Sequence, residues 1–288
     1  MSIVADLHGL LAEEPLDLAR AALTIARLEY PQLHFGRSLD MLDRMGERAA
    51  ARLQPGSGAP LRARVAALNR LVFEEEGFAG NRTHYDDFRN SCLNVVLERR
   101  LGIPITLALV YIEVARRAGL TVLGVGFPGH FLMRVPASND SGTSRDLILD
   151  PFDRGAEIDI DDCRALLAKH LGMLNEDVPL DPALLRPCAP RHMLARMLNN
   201  LKRTYVELRS FPQARCVSDL LLTVDPTMLS EVRDRGLLAY HLDDFPAALR
   251  DLESYLRLSP KIDEEGKQEW KQLWDHVKTL RRRVAGLN

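Results

Sequence analysis

The residues of this chain best suited to chemistry are a histidine and an aspartate, each placed beside a turn. His130 follows Pro128-Gly129 and opens the run HFLMRV, and Asp150 closes the run LILD. On neighbouring strands, such a pair is the base-plus-orienter half of a Cys-His-Asp arrangement. There the carboxylate fixes an imidazole, and the imidazole activates a thiol. The helix that precedes them opens Gly-Ile-Pro-Ile-Thr (102–106), which holds no thiol. Asp150 also has a local reading, because Asp-Pro-Phe-Asp is turn chemistry in which the aspartate side chain caps a strand end. Two side chains are candidates for the missing nucleophile. Cys92 lies in the preceding helix, where the simpler reading is a buried thiol. Thr106 is a first-turn residue whose hydroxyl is expected to meet backbone. Ser91 is expected to cap the helix 92–100.

Composition narrows the classes of function. The 288 residues are 46% hydrophobic and 27% charged with a net charge of −2, which is ordinary globular usage. No global charge points to nucleic acid or to an anionic membrane surface. The cysteines Cys92, Cys163, Cys188 and Cys216 are scattered, with no CxxC pair and no histidine at ligand spacing. That pattern implies reduced thiols, no structural metal and no cofactor. Apolar runs fall short of the roughly 20 residues a membrane span needs, and the N-terminus lacks the basic-then-apolar order of a signal peptide. The expectation is a cytoplasmic protein.

Several elements must position the pair. Residues 1–75 read as helices: Leu18, Ala21, Ile25 and Leu28 share one face, and 38–53 follows with Ser38 as N-cap. PGSGAP (55–60) is a turn, and a helix over 61–76 stops at Gly77. Residues 79–91 are polar and turn-rich. The helix from Pro104 to about Ala118 carries proline in its first turn, where the missing N–H costs little. TVLGVGF, HFLMRV and DLILD read as strands, with a turn at 137–145 between the last two, and a helix over 160–172 follows. PLDPALLRPCAP (179–190) is the linker candidate, with four prolines in twelve residues.

Beyond it the chain repeats. Phe211-Pro212, Ala214 and Pro226 recur 34 residues later as Phe245-Pro246, Ala248 and Pro260. A period of 34 with a small residue in the second helix and a proline after it is the tetratricopeptide pattern. First helices are expected over 194–208 and 229–242, with Gly236 at a close crossing. A final helix over about 264–284 presents Trp270, Leu273, Val277 and Leu280 as its apolar stripe. The run Arg233-Asp234-Arg235 suggests an interdomain ion pair, and Arg281–Arg283 a solvated helix end.

The segments 73–120, 128–135 (PGHFLMRV), 147–155 (LILDPFDRG) and 233–240 (RDRGLLAY) resemble, in continuous order, the bacterial invasion-regulator-B (SirB) family. Its members join a transglutaminase-like domain to tetratricopeptide repeats. The resemblance implies an α+β fold with a papain-like core, a helical N-terminal extension over 1–78, the core over 79–182 and repeats with a capping helix over 190–288. It implies that His130 and Asp150 match the catalytic histidine and aspartate of active transglutaminase-like enzymes. Counted back from Gly119, their cysteine position falls at Pro104, a residue with neither thiol nor hydroxyl. Thr106 lies two positions on, about 200° around the helix, and so faces away from whatever Pro104 addresses. Tyr85, Asn90 and Arg134, from the matching segments, are candidates to line the same cleft.

Two functions of different class follow. The first is a non-catalytic binding or regulatory module that recognises a protein or peptide partner through the His130/Asp150 cleft and the repeats. The second is an active amide hydrolase or transamidase using Cys92, Thr106 or a water activated by His130.

Overall fold

The computed structural model describes residues 2–53, 59–137, 145–173, 178–259 and 267–285. The chain divides into two compact units: residues 10–197, and residues 198–288 together with the segment through Gly9. Helices combined with a four-stranded sheet and a short two-stranded pair make an α+β fold.

The helices α1 (Ile3–Leu11), α2 (Leu18–Ala26), α3 (Gly36–Leu53) and α4 (Leu61–Asn69) come first. Asp17 caps α2 by accepting the Arg20 N–H at 2.9 Å. The helix α3 starts at Gly36, two residues before the expected cap, so Ser38 lies buried inside its first turn and caps nothing. The helix α4 widens into a π-helical turn at Arg70–Glu75, and Gly77 follows with φ +75, a value glycine adopts without a Cβ clash. Of the expected turn at 55–60, residues 55–58 lie outside the described residues.

Next comes a short parallel pair, β1 (Ala79–Gly80) and β2 (Leu101–Gly102), which the polar composition of 79–91 did not announce. Between them a 3-10 turn over Phe88–Ser91 leads into α5 (Leu93–Arg99). The expected cap moves by one residue: Ser91 ends the 3-10 turn, and Cys92 is the N-cap position with no side-chain capping bond. The helix α6 (Pro104–Arg117) is buried on nearly every side, which makes it the central helix of the unit.

The sheet is an antiparallel meander of β3 (Leu123–Val125), β4 (Leu132–Val135), β5 (Leu147–Asp150) and β6 (Ala156–Ile158). Period-2 alternation sets its two faces. Met133, Val135, Leu147 and Leu149 are fully or almost fully buried on the face toward α6. Leu132, Val125, Ile148 and Ile158 pack on the other face against Cys163, Leu167 and Ala168 of α7 (Ile160–Leu171). Within the turn expected at 137–145, residues 138–144 lie outside the described residues.

In the repeat unit, α9 (Phe211–Val224), α10 (Leu229–His241), α11 (Phe245–Leu258) and α12 (Lys267–Ala285) follow α8 (Pro190–Glu207), whose course crosses the division at Met197. Ala214 and Ala248, the small residues of the 34-residue repeat, are fully buried. Gly236 allows a close crossing of α10 and α11, because a Cβ there would lie 3.0 Å from Leu252. Leu273, Val277 and Leu280 of α12 close the core over Ala248 and Leu252. Pro260, the last residue of the repeat pattern, lies outside the described residues. Arg235 is paired within the repeats. Its guanidinium bonds Asp251 through Nε and Nη2 and Asp219 through Nη1, stapling α9, α10 and α11 within the repeats. Asp234 accepts from Lys202 at 2.9 Å.

Candidate functional site

His130 and Asp150 meet. Nε2 of His130 lies 2.9 Å from Oδ1 of Asp150. His130 is not on the strand, as its sequence context suggested. Its backbone N–H closes a turn onto the Phe127 carbonyl at 3.1 Å, and β4 begins two residues later. Gly129 takes φ +68 in that turn, which is why glycine stands there. Asp150 ends β5 and is 8% exposed. Its Oδ1 also accepts the Phe152 N–H at 2.8 Å, so one oxygen both orients the imidazole and caps the turn Pro151–Asp153. The two readings of Asp150, triad orienter and turn cap, are one geometry.

A carboxylate only accepts, so the proton of this hydrogen bond sits on His130 Nε2. In the neutral form of the ring Nδ1 is an acceptor, and among the described residues no hydrogen bond to it is found. A ring nitrogen of this kind can accept from an amide N–H, an ammonium or a water.

The loop that carries Asp150 is braced from beneath. Asn69, the last residue of α4, donates to the Gly155 carbonyl at 2.7 Å and accepts the Tyr111 hydroxyl of α6 at 2.8 Å. Gly155 has φ +71, and a Cβ there would lie 2.4 Å from Asn69 Oδ1, so only glycine permits this approach. Nothing in the sequence singled out Asn69, because its partners are 42 and 86 residues away.

The other predicted residues divide sharply. Thr106 is fully buried, donates to the Asn90 carbonyl at 2.8 Å and accepts the Ile103 N–H at 3.2 Å. Its hydroxyl is committed to backbone. Cys92 is 1% exposed, packs with Ala26 and Val95 and points its thiol at the Phe88 carbonyl. Burial, then the charges of Glu29 and Asp87, push its pKa up to about 12. Burial likewise pushes Cys163 up to about 11, and desolvation raises Cys188 and Cys216. Activated thiols show the opposite shift. Pro104 is buried at the first position of α6.

Asn90 is also buried. Its side chain donates to the His84 and Tyr85 carbonyls and accepts from Asn81, which pins the loop 81–91. Its amide holds the wall and is not free for a ligand. Tyr85 is exposed and meets the Phe152 ring edge-on at 5.9 Å, and that ring meets His130 edge-on at 6.2 Å. Sequence reasoning missed Phe152, which joins the rim to the pair. Arg134 bonds Asp146 and the Leu185 carbonyl. A cavity of about 520 Å³ opens beside Cys163, lined also by Ile148, Ile158, Ile160 and Asp162; neither His130 nor Asp150 lines it. Among the described residues no group of three or more His, Cys, Asp or Glu is placed to hold a metal.

A central helix against an antiparallel sheet, with a histidine in the turn before β4 bonded to an aspartate at the end of β5, is the arrangement expected of a transglutaminase-like domain. The transglutaminase-like superfamily matches residues 37–199, and a tetratricopeptide repeat matches 201–269. The chain is 40% identical over 251 residues to a UPF0162 protein of Xylella fastidiosa, covering 86% of each. It is 34% identical to a UPF0162 protein of Pseudomonas aeruginosa over 88% of this chain and 89% of that one. Protein SirB1 of Salmonella typhimurium is 28% identical over 67% of this chain and 69% of its own length. The chain belongs to the SirB1-like family of transglutaminase-like proteins with tetratricopeptide repeats.

Proposed function

We propose that this protein is a non-catalytic binding module in which the His130/Asp150 cleft recognises an amide-bearing peptide and the repeats contribute to holding a protein partner. The observation that carries this reading is the state of the thiols. Proline stands where active relatives are expected to carry cysteine, and all four cysteines of the chain are shifted away from thiolate. What remains of a triad is a held imidazole with one open acceptor, which suits recognition. A cytoplasmic site of action fits four free cysteines and a described structure without a helix long and apolar enough to cross a membrane.

The open Nδ1 also favours one second reading, hydrolysis by a water polarised at His130. Titrating protein labelled with ¹³C-histidine with acetyl-Gln-Gly amide, while following ammonia release, separates the two. Movement of the His130 resonance without ammonia supports the binding module. Ammonia release that is lost in His130→Ala establishes the hydrolase.

A further inference from the structure

Phe152 sits between the His130–Asp150 pair and a cation. Its N–H holds Asp150 and its ring makes T-shaped contacts with His130 and Tyr85. The ring comes to rest against Gly80 of β1, where a Cβ would lie 2.5 Å from Cε2. Over this ring lies the guanidinium of Arg82, with Cζ 4.8 Å from the centroid. The same guanidinium reaches the Phe152 carbonyl at 3.5 Å and stands 3.6 Å from Asp153 Oδ1. A ring face, a carbonyl and a carboxylate thus form a seat shaped for a planar cation. Its occupant is weakly held, because both contacts are long and the side chains of Arg82 and Asp153 are 65% and 70% exposed.

We propose that this seat is an arginine-binding subsite of the His130/Asp150 cleft, held in cis by Arg82 until the arginine of a peptide ligand displaces it. The inference rests on the binding-module reading and adds the class of ligand. Arginine fits better than lysine because a planar guanidinium stacks on Phe152 while its edge donates to both oxygens. An ammonium on this seat would lose the stacking. An anionic ligand is disfavoured by the ring face and by Asp153. Because Arg82 competes for the seat, the apparent affinity of a free ligand is reduced by the fraction of time Arg82 is bound.

The test titrates the full-length protein, carrying ¹³C-labelled Phe and His, with acetyl-Gly-Arg-Gly amide and with its lysine and citrulline analogues. The arginine peptide should shift Phe152 and bind Arg82→Ala about three- to five-fold more tightly than wild type. The lysine and citrulline peptides should bind more weakly in both proteins. The gain should vanish when Phe152→Leu is added and persist when Phe152→Tyr is added, which separates loss of the ring face from loss of folding. Equal affinity in wild type and Arg82→Ala, or equal binding of the citrulline peptide, overturns the proposal. If that happens while acetyl-Gln-Gly amide still shifts His130, the subsite is wrong and the cleft reading survives. If neither peptide shifts His130, both are wrong.

Discussion

Asp150 offers His130 the same Oδ1 that receives the Phe152 N–H, at 2.9 and 2.8 Å. The orientation of the imidazole is therefore tied to the turn that carries the Phe152 ring. Asp150→Asn keeps an acceptor oxygen for both donors and should cost less than about 1 kcal/mol, whereas Asp150→Ala strands both and should cost about 2–3 kcal/mol. Urea denaturation of the two variants measures this. Equal losses would mean that charge, and not the shared acceptor, holds the turn.

Beneath the turn, Asn69 and Tyr111 form a second bonded pair, with Tyr111 wholly buried. Asn69→Ala should destabilise by about 2–3 kcal/mol, because it strands the Tyr111 hydroxyl and the Gly155 carbonyl. Adding Tyr111→Phe should recover part of that loss. The coupling in a double-mutant cycle is expected at about 1 kcal/mol, and a value near zero would remove the brace from the account.

Position 104 can be tested by giving it the thiol that the family resemblance leads one to expect there in active enzymes. Pro104→Cys places a thiol at the first turn of α6, where the helix dipole favours thiolate. The introduced thiol should alkylate at pH 7 about ten-fold faster or more than the native cysteines. The proline itself contributes little to stability, so the melting temperature should fall by only a few degrees.

The raised thiols also predict an alkaline limit. Cys92 shifts from 9.0 to about 12 and Cys163 to about 11, so between those values the unfolded chain releases protons that the folded chain retains. The stability carried by these groups is complete below pH 9 and declines as pH rises through the folded values, by up to about 1.4 kcal/mol per pH unit for each thiol. Urea melts at pH 7 and 10 should show this loss, and Cys92→Ala should shrink the difference between them. An unchanged difference would place the effect elsewhere.

Much of this was legible in the sequence because it is written locally. The period of 34, the proline opening α6 and the glycines 77, 129 and 236 each mark a backbone requirement that a few neighbouring residues satisfy. The His130–Asp150 pairing was legible because each stands at a turn flanking a strand. The rest is written across distance. The strand β6 is three residues with no alternation to read, and the helix α4 gives no sign that it widens at Arg70. Phe152 becomes a platform only because Gly80, far away in sequence, leaves room for its ring. His130 was expected on a strand because HFLMRV is β-rich throughout, yet the turn onto Phe127 claims its first residue.

The central claim, that no thiol of this protein serves His130, is tested most directly by timed alkylation of the native protein with iodoacetamide at pH 7, read by mass spectrometry at each cysteine. Cys92, Cys163, Cys188 and Cys216 should each react more slowly than free cysteine, at rates unchanged in His130→Ala. One cysteine reacting faster than free cysteine, and losing that advantage in His130→Ala, would contradict the claim.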